Sequence, residues 1–383
     1  MKIRYSLSLL CLMLLLISVL PLKTNVYGDN PKKYQEISST AVSMCVLEAQ
    51  SGRVLFGKNI EKKVAMASTT KIFTALTVLE NCNDLSQRVQ IDDRAVGIEG
   101  TSIYLRKGEN LSVKELLLGM MLPSGNDAAS ALAYFVGGNI PNFCDMMQKT
   151  AQNAGAFSSS FKNPHGLDEE GHFTTAYDLA KVSAKALENP DFVEIVTTKS
   201  AVISGNNEVK SRYLKNKNKL LSSFEGCNGV KTGFTDNAGR CFVSSAKRDN
   251  MQVVCSVLNA GNMFEEAHRL MQKAFETYKM TELIPAYNII KEIKIENGRE
   301  ELVKVYNTNS FSYPLSSEEK LYVNFIDDIP SIIKAPINKE QVVGKIKVYL
   351  EDELLFEDDV VTREAVKVDS LWSYIKDLTK IWK

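Results

Sequence analysis

The sequence predicts an α+β domain, an antiparallel sheet with helices packed on it, followed by a small all-β domain and a C-terminal amphipathic helix. Three patterns carry this. Short apolar runs of strand length open and close the first 280 residues around a helical middle, the layout of a sheet with helices laid over it. Beyond residue 281 the apolar period changes to two. At the chain's end it returns to helical spacing.

The elements follow in order. Apolar runs at 41–47 and 53–57 flank Gln50-Ser51-Gly52, which predicts a hairpin. Residues 29–40 are polar and read as a flexible lead-in. From Ser68 onward, Ile72, Phe73, Leu76 and Leu79 recur at helical spacing. Ser112 and Glu115 form a capping box ahead of an apolar helix at 116–122. Pro123-Ser124-Gly125 ends that helix, and 127–136 is the next. Residues 178–187 are helical too. Residues 229–232 and 240–246 predict strands around a turn at Thr235-Asp236-Asn237, with 252–258 as a third strand. Phe264, Ala267, Leu270, Met271, Ala274 and Tyr278 mark one long helix. Composition shifts at 281–288. Strands are then predicted at 289–295, 302–306, 321–325 and 344–350, the last alternating through Ile346, Val348 and Leu350. The predicted organisation is a leader at 1–28, a first domain at 29–280, a β-rich domain at 281–366 and a terminal helix at 367–383.

The chain has 383 residues, and its 46 Lys+Arg balance its 46 Asp+Glu. That balance argues against a nucleic-acid binder, which shows a basic excess. An apolar content of 44% is ample for a core and excludes disorder as the main state. The two ends depart from the average. Lys2 and Arg4 precede an uncharged, mostly apolar run to Leu22, then Val26-Tyr27-Gly28, the order of an export signal with its cleavage site. An uncleaved anchor is the alternative. At the other end Leu371, Ile375, Leu378 and Trp382 form one helical stripe with lysines on other faces. Its charges forbid spanning, but such a helix can lie in a membrane interface. A helix packed on its own protein is the alternative. The six cysteines after the leader are scattered, with no C-x-x-C, and read mostly as reduced core thiols.

Ser68-Thr69-Thr70-Lys71 opens a helix, so Ser68 and Lys71 share a face one turn apart. A serine hydroxyl needs a base to attack a carbonyl, and a lysine of lowered pKa can serve. The spacing alone is weak, since it recurs at Ser159, Ser244, Ser317, Ser331 and Ser373. Ser124-Gly125-Asn126 sits on the break between two helices, and Ser-x-Asn recurs at Ser204-Gly205-Asn206. Lys231-Thr232-Gly233 lies on a predicted strand and occurs once. Ser-x-x-Lys, Ser-x-Asn and Lys-Thr-Gly in this order are the signature of penicillin-binding proteins and serine β-lactamases.

The flanking residues narrow this. Leu55-Phe56-Gly57-Lys58-Asn59, Met66-Ala67-Ser68-Thr69-Thr70-Lys71, Met121-Leu122-Pro123-Ser124-Gly125-Asn126-Asp127-Ala128-Ala129, Asn163-Pro164-His165-Gly166-Leu167 and Gly229-Val230-Lys231-Thr232-Gly233-Phe234-Thr235 resemble the serine-type D-alanyl-D-alanine carboxypeptidases, the low-molecular-mass penicillin-binding proteins. The resemblance is strong over roughly residues 38–280. It implies the β-lactamase/transpeptidase-like fold, with a β-rich domain and a membrane-binding helix behind it. It also implies Ser68 as nucleophile, Lys71 as base, Ser124 as proton relay and Asn126 on the substrate backbone. Lys231 and Thr232 would receive the terminal carboxylate, and the backbone N–H groups of Ser68 and Phe234, beside Gly233, would form an oxyanion hole. The implied substrate is a peptidoglycan stem peptide ending in D-Ala-D-Ala, with β-lactams as inhibitors. The expected place is outside the cytoplasmic membrane, and no cofactor is expected.

A β-lactamase fits less well, because Gly125 stands where the class A motif has Asp and no E-x-x-L-N follows Asn126. A D,D-endopeptidase cutting peptide cross-links would use the same three motifs. A non-catalytic wall-binding module is opposed by the intact Ser68, Lys71, Ser124 and Lys231. His165 and His172, seven apart with no third ligand nearby, make a poor metal set.

Overall fold

The computed structural model describes residues 34–203 and 211–370. The leader at 1–28, the second Ser-x-Asn at 204–206 and the terminal stripe from residue 371 lie outside these.

The first sheet begins with β1 (Gln35–Glu36), β2 (Ser43–Glu48) and β3 (Val54–Lys58). The β2–β3 turn is the predicted hairpin. Gly52 takes a left-handed φ of +69° there, and buried Glu48 accepts from the N–H groups of Gln50 and Ser51. The expected lead-in is in part structure, since Gln35 and Glu36 pair in parallel with Phe56 and Gly57. Gly57 permits this, because a Cβ there would stand 2.5 Å from the Tyr34 ring. A turn of 3-10 helix (Ala67–Thr70) leads into α1 (Lys71–Asn81), so the helix proper starts at the lysine rather than at Ser68.

Next come β4 (Arg88–Gln90), β5 (Asn110–Ser112), α2 (Val113–Met121) and α3 (Asn126–Gly137). The Ser112–Glu115 capping box is present in both directions. Beyond them lie α4 (Ile140–Asn153), α5 (Ala176–Ala186), α6 (Pro190–Thr197), β6 (Ser200–Ile203), β7 (Arg212–Lys215) and a short α7 (Leu220–Ser223). The sheet is completed by β8 (Cys227–Thr235), β9 (Gly239–Arg248) and β10 (Met251–Leu258), followed by α8 (Met263–Thr277).

Six strands stand in the order β1-β3-β2-β10-β9-β8, antiparallel apart from β1. Alternation along β2 splits the core in two. Cys45 and Leu47 face the cluster built from α1, α2, α3 and α5, while Met44 and Val46 face α8. The six cysteines of the described residues are free thiols; all but Cys227 are buried. Strand β8 is an edge, with one side open.

Helix α8 passes directly into β11 (Tyr278–Ile284), three residues before the expected composition boundary. The β-rich part continues through β12 (Ile289–Glu296), β13 (Leu302–Asn307), β14 (Phe311–Ser316), β15 (Val323–Asp328), β16 (Ile332–Lys334), β17 (Val342–Leu350) and β18 (Glu353–Thr362). Strand β11 pairs with β14, and the others form a sheet ordered β15-β17-β18-β13-β12-β16 around its own apolar cluster. Arg53 ties the two parts. Its guanidinium lies 5.2 Å from the Tyr278 and Tyr313 ring centroids, donates to the Pro314 carbonyl and pairs with Glu319. The terminal helix was expected from residue 367. Residues 367–370 are instead extended: Val368 bridges Gly298, and the Asp369 N–H donates to the Asn297 carbonyl.

Candidate active site

The three motifs converge at the open edge of the sheet. Ser68 lies on the turn before α1, strained just upstream by Ala67 at φ +48°. Two neighbours hold the turn. Thr69 and Thr70 donate their hydroxyls to the carbonyls of Met66 and Ala67 at 2.6 and 2.8 Å. On the far side, Gly166 lies so close that a Cβ there would come within 1.9 Å of the Ala67 oxygen. Strand β8 also passes close: a Cβ on Gly233 would stand 2.9 Å from the Ser68 nitrogen. Glycine at 233 is therefore what lets the strand lie against the serine.

Lys71 is fully buried, while Ser68 is half-buried and reachable. The Lys71 Nζ lies 2.9 Å from Ser68 Oγ, 2.7 Å from Asn126 Oδ1 and 2.7 Å from the His165 carbonyl oxygen. Burial, then the charges of Lys231 and Lys217, hold this amine well below the ordinary lysine range, with Asp127 opposing them. Ser124 has a positive φ of +80° and is buried, and its Oγ has no hydrogen-bond partner among the described residues. Such an orphan is costly unless an incoming group uses it.

Asn126 starts α3. Its Nδ2 donates to the Glu99 carbonyl at 2.6 Å, so both ends of its amide are engaged inside the protein. Lys231 is almost fully buried, donates to the Thr232 carbonyl at 2.9 Å, and is lowered to about 7 by burial and by Lys217. Thr232 is buried, and Phe234 is exposed at the rim.

Sequence reasoning missed two contributors. Lys217 sits in the loop after β7, its backbone N–H on the Leu122 carbonyl and its Nζ 3.4 Å from Thr101 Oγ1. No local pattern marks it; only the fold brings this third cation to the other two. Buried Asp127 accepts from Ser102 Oγ and from the N–H groups of Ile103, Leu105 and Ala128, fixing the loop that walls the site. Its place directly after Ser124-Gly125-Asn126 could have flagged it.

His165 and His172 are not paired as ligands. His172 takes the Lys162 N–H at Nδ1 and meets Thr70 Oγ1 through Nε2 at 2.9 Å. Burial lowers His172 to about 4 and His165 to about 3, so both are neutral near pH 7. Among the described residues no three His, Cys, Asp or Glu side chains group to hold a metal ion. Of the repeated Ser-x-x-Lys spacings, Ser159 is spent on Asp178 and Thr174, and Ser244 lies mid-strand in β9.

The profile of the D-alanyl-D-alanine carboxypeptidase family matches residues 30–262, and that of the penicillin-binding protein 5 C-terminal domain matches 278–368. The chain belongs to the D-alanyl-D-alanine carboxypeptidase family. The enzyme is thus a serine-type hydrolase and a low-molecular-mass penicillin-binding protein, with a catalytic domain and a β-rich C-terminal domain. It is 30% identical to the D-alanyl-D-alanine carboxypeptidase DacF of Bacillus subtilis over 92% of both chains. Among solved structures, penicillin-binding protein 5 from Haemophilus influenzae superposes with a TM-score of 0.72 at 26% identity, covering 86% of this chain and 98% of that one. The Streptomyces K15 DD-transpeptidase superposes at 0.58 with 31% identity, covering 63% of this carboxypeptidase and 99% of that chain.

Proposed function

We propose that this carboxypeptidase removes the terminal D-alanine from peptidoglycan stem peptides through an acyl-enzyme on Ser68. The observation that carries the reading is the Lys71 environment. A neutral amine has two N–H bonds, and two carbonyl oxygens, those of Asn126 and His165, take them. The remaining lone pair then faces Ser68 Oγ at 2.9 Å, where the hydroxyl donates to it. Burial, then the charges of Lys231 and Lys217, favour that neutral form.

In the proposed sequence Ser68 Oγ attacks the penultimate carbonyl as its proton passes to Lys71. The charge on the former carbonyl oxygen is met by the N–H groups of Ser68 and Phe234. Ser124, whose hydroxyl is otherwise unused, relays the proton to the departing D-alanine amine. Water then attacks the acyl carbonyl as Lys71 takes its proton, and Lys71 returns that proton to Ser68 Oγ as the ester bond breaks and the shortened peptide leaves. Lys231, Thr232 and Lys217 supply the field for the terminal carboxylate, with Lys217 the most accessible of the three lysines. Asn126 positions Lys71, and the second lone pair of its Oδ1 is left for a substrate amide.

Penicillins are the expected inhibitors, acylating Ser68. The proposed place of action is the outer face of the cytoplasmic membrane, reached through the leader at 1–28. The stripe at 371–383, the part of the predicted 367–383 helix beyond the extended residues, is proposed to hold the enzyme at the membrane surface.

The test is D-alanine release from a peptide ending in D-Ala-D-Ala, with Ser68→Ala as control. Release by the wild type and none by the variant is expected. No release by a wild type that penicillin labels would overturn the carboxypeptidase reading.

A further inference from the structure

A cleft of about 640 Å³ lies in the β-rich domain, separate from the serine site, and none of the mechanism uses it. Its size is within the roughly 300–1,000 Å³ of small-molecule sites. One wall is aromatic: Tyr287 and Tyr306 have ring centroids 6.0 Å apart, tilted by 42°, with Ile289 beside them. Tyr287 is 72% exposed and has a left-handed φ of +57°. A bulky residue in that conformation is strained, so the fold spends stability to hold this ring in solvent. Glu340, also in the lining, has φ +60°.

Two turns that line the cleft are each pinned by one buried side chain. Asn307 donates Nδ2 to the Pro285 carbonyl and accepts from the Asn288 N–H, bracketing the turn that displays Tyr287. Thr362 donates its hydroxyl to the Asn338 carbonyl and accepts from the Gln341 N–H, bracketing the turn that carries Lys339 and Glu340. The cleft is thus built in advance rather than formed on contact.

Its chemistry selects the ligand class. Two cations, Lys339 and Arg363, and two acids, Glu340 and Glu364, line the cleft, so its formal charges cancel. Lys339 and Glu340 lie 3.7 Å apart. An anionic ligand meets carboxylates here, and an acyl chain meets four charged groups. An uncharged polyhydroxy ligand meets donors and acceptors for its hydroxyls and aromatic faces for its C–H surfaces. The Arg363 guanidinium has no hydrogen-bond or ion-pair partner among the described residues and is free to serve.

We propose that this cleft binds a segment of uncharged N-acetylated glycan, the polymer that bears the stem peptides. The identity of that polymer rests on the function proposed above; the carbohydrate chemistry of the cleft does not. The test titrates the full chain with a soluble N-acetylglucosamine tetramer, followed by NMR or calorimetry. Wild type is expected to saturate. Tyr287→Asn, whose asparagine tolerates the left-handed backbone, and Arg363→Ala are each expected to weaken binding at least fivefold. Tyr287→Phe, which keeps the ring, is expected to retain it. Penicillin labelling and D-alanine release from a short free peptide stay unchanged in all three, which separates this test from that of the serine site. A rise in melting temperature for Tyr287→Asn together with lost binding would mark the strain as functional. Absence of saturable binding, binding equal in wild type and Tyr287→Asn, or competition by penicillin would each overturn the proposal.

Discussion

Gly233→Ala is the most discriminating substitution at the serine site. The glycine has no positive φ, so the added methyl acts through contact alone. Its Cβ would sit 2.9 Å from the Ser68 nitrogen, 3.0 Å from the Thr69 nitrogen and 3.1 Å from the Ala67 Cβ. These are backbone or near-backbone atoms of a turn braced by two threonines, so β8 has to yield. Relief to an ordinary contact needs about 0.5 Å, and a misplacement of about 1 Å near the chemistry costs about 10²-fold. Half that displacement corresponds to about tenfold, or about 1.4 kcal/mol in the barrier. A disturbed oxyanion donor adds to it, so the acylation rate should fall about 10- to 100-fold. The cost in stability should be about 1–3 kcal/mol, the usual range for overpacking. The assay is the second-order rate of labelling by a fluorescent penicillin, with a urea melt alongside. Full acylation in a folded Gly233→Ala protein would refute the placement of β8 against Ser68.

Two further outcomes follow from the charges. Lys71 acts as a base only when neutral, so turnover falls as pH drops through its lowered pKa; Lys217→Ala removes a cation that depresses both Lys71 and Lys231, and the acid limb of the kcat/KM profile should move to higher pH, whereas an unmoved limb would exclude Lys217 from the site's field. His172 is lowered from 6.5 to about 4 by burial, so the unfolded chain takes up its proton first as pH falls below 6.5, and about 3 kcal/mol of stability is lost by pH 4. In His172→Gln the urea midpoint should depend less on pH between 7 and 4.5, and an unchanged slope would contradict a neutral buried imidazole.

Where a local signal matched the local physics, the sequence was readable. The Gly52 hairpin, the Ser112–Glu115 capping box and the break at Pro123-Ser124-Gly125 each appear as read, because a turn or cap is decided by the residues in it. Strand β18 was not legible. Glu357, Asp358 and Asp359 interrupt its apolar run, and only the fold explains them: buried Asp358 accepts from the Thr308 and Asn309 N–H groups, and Glu357 pairs with Lys345 and Lys347. Helix α4 was missed although its signals are local: Asn139 caps it, Pro141 stands in its first turn, and the buried Phe143, Cys144, Met147 and Ala151 recur at helical spacing among polar residues. At the site, the Ser68, Ser124 and Lys231 motifs were visible because each carries its own spacing. The third lysine was not, since Lys217 reaches the others only through tertiary contact.

The central claim is that Ser68 is the acylated nucleophile. Trypsin should release it on the peptide from Val64 to Lys71, whose ends follow Lys63 and include Lys71. After brief exposure to benzylpenicillin, mass spectrometry of the digest should place one penicilloyl group on that peptide and on Ser68 within it. An adduct on any other peptide, or none on a folded wild type, would contradict the account.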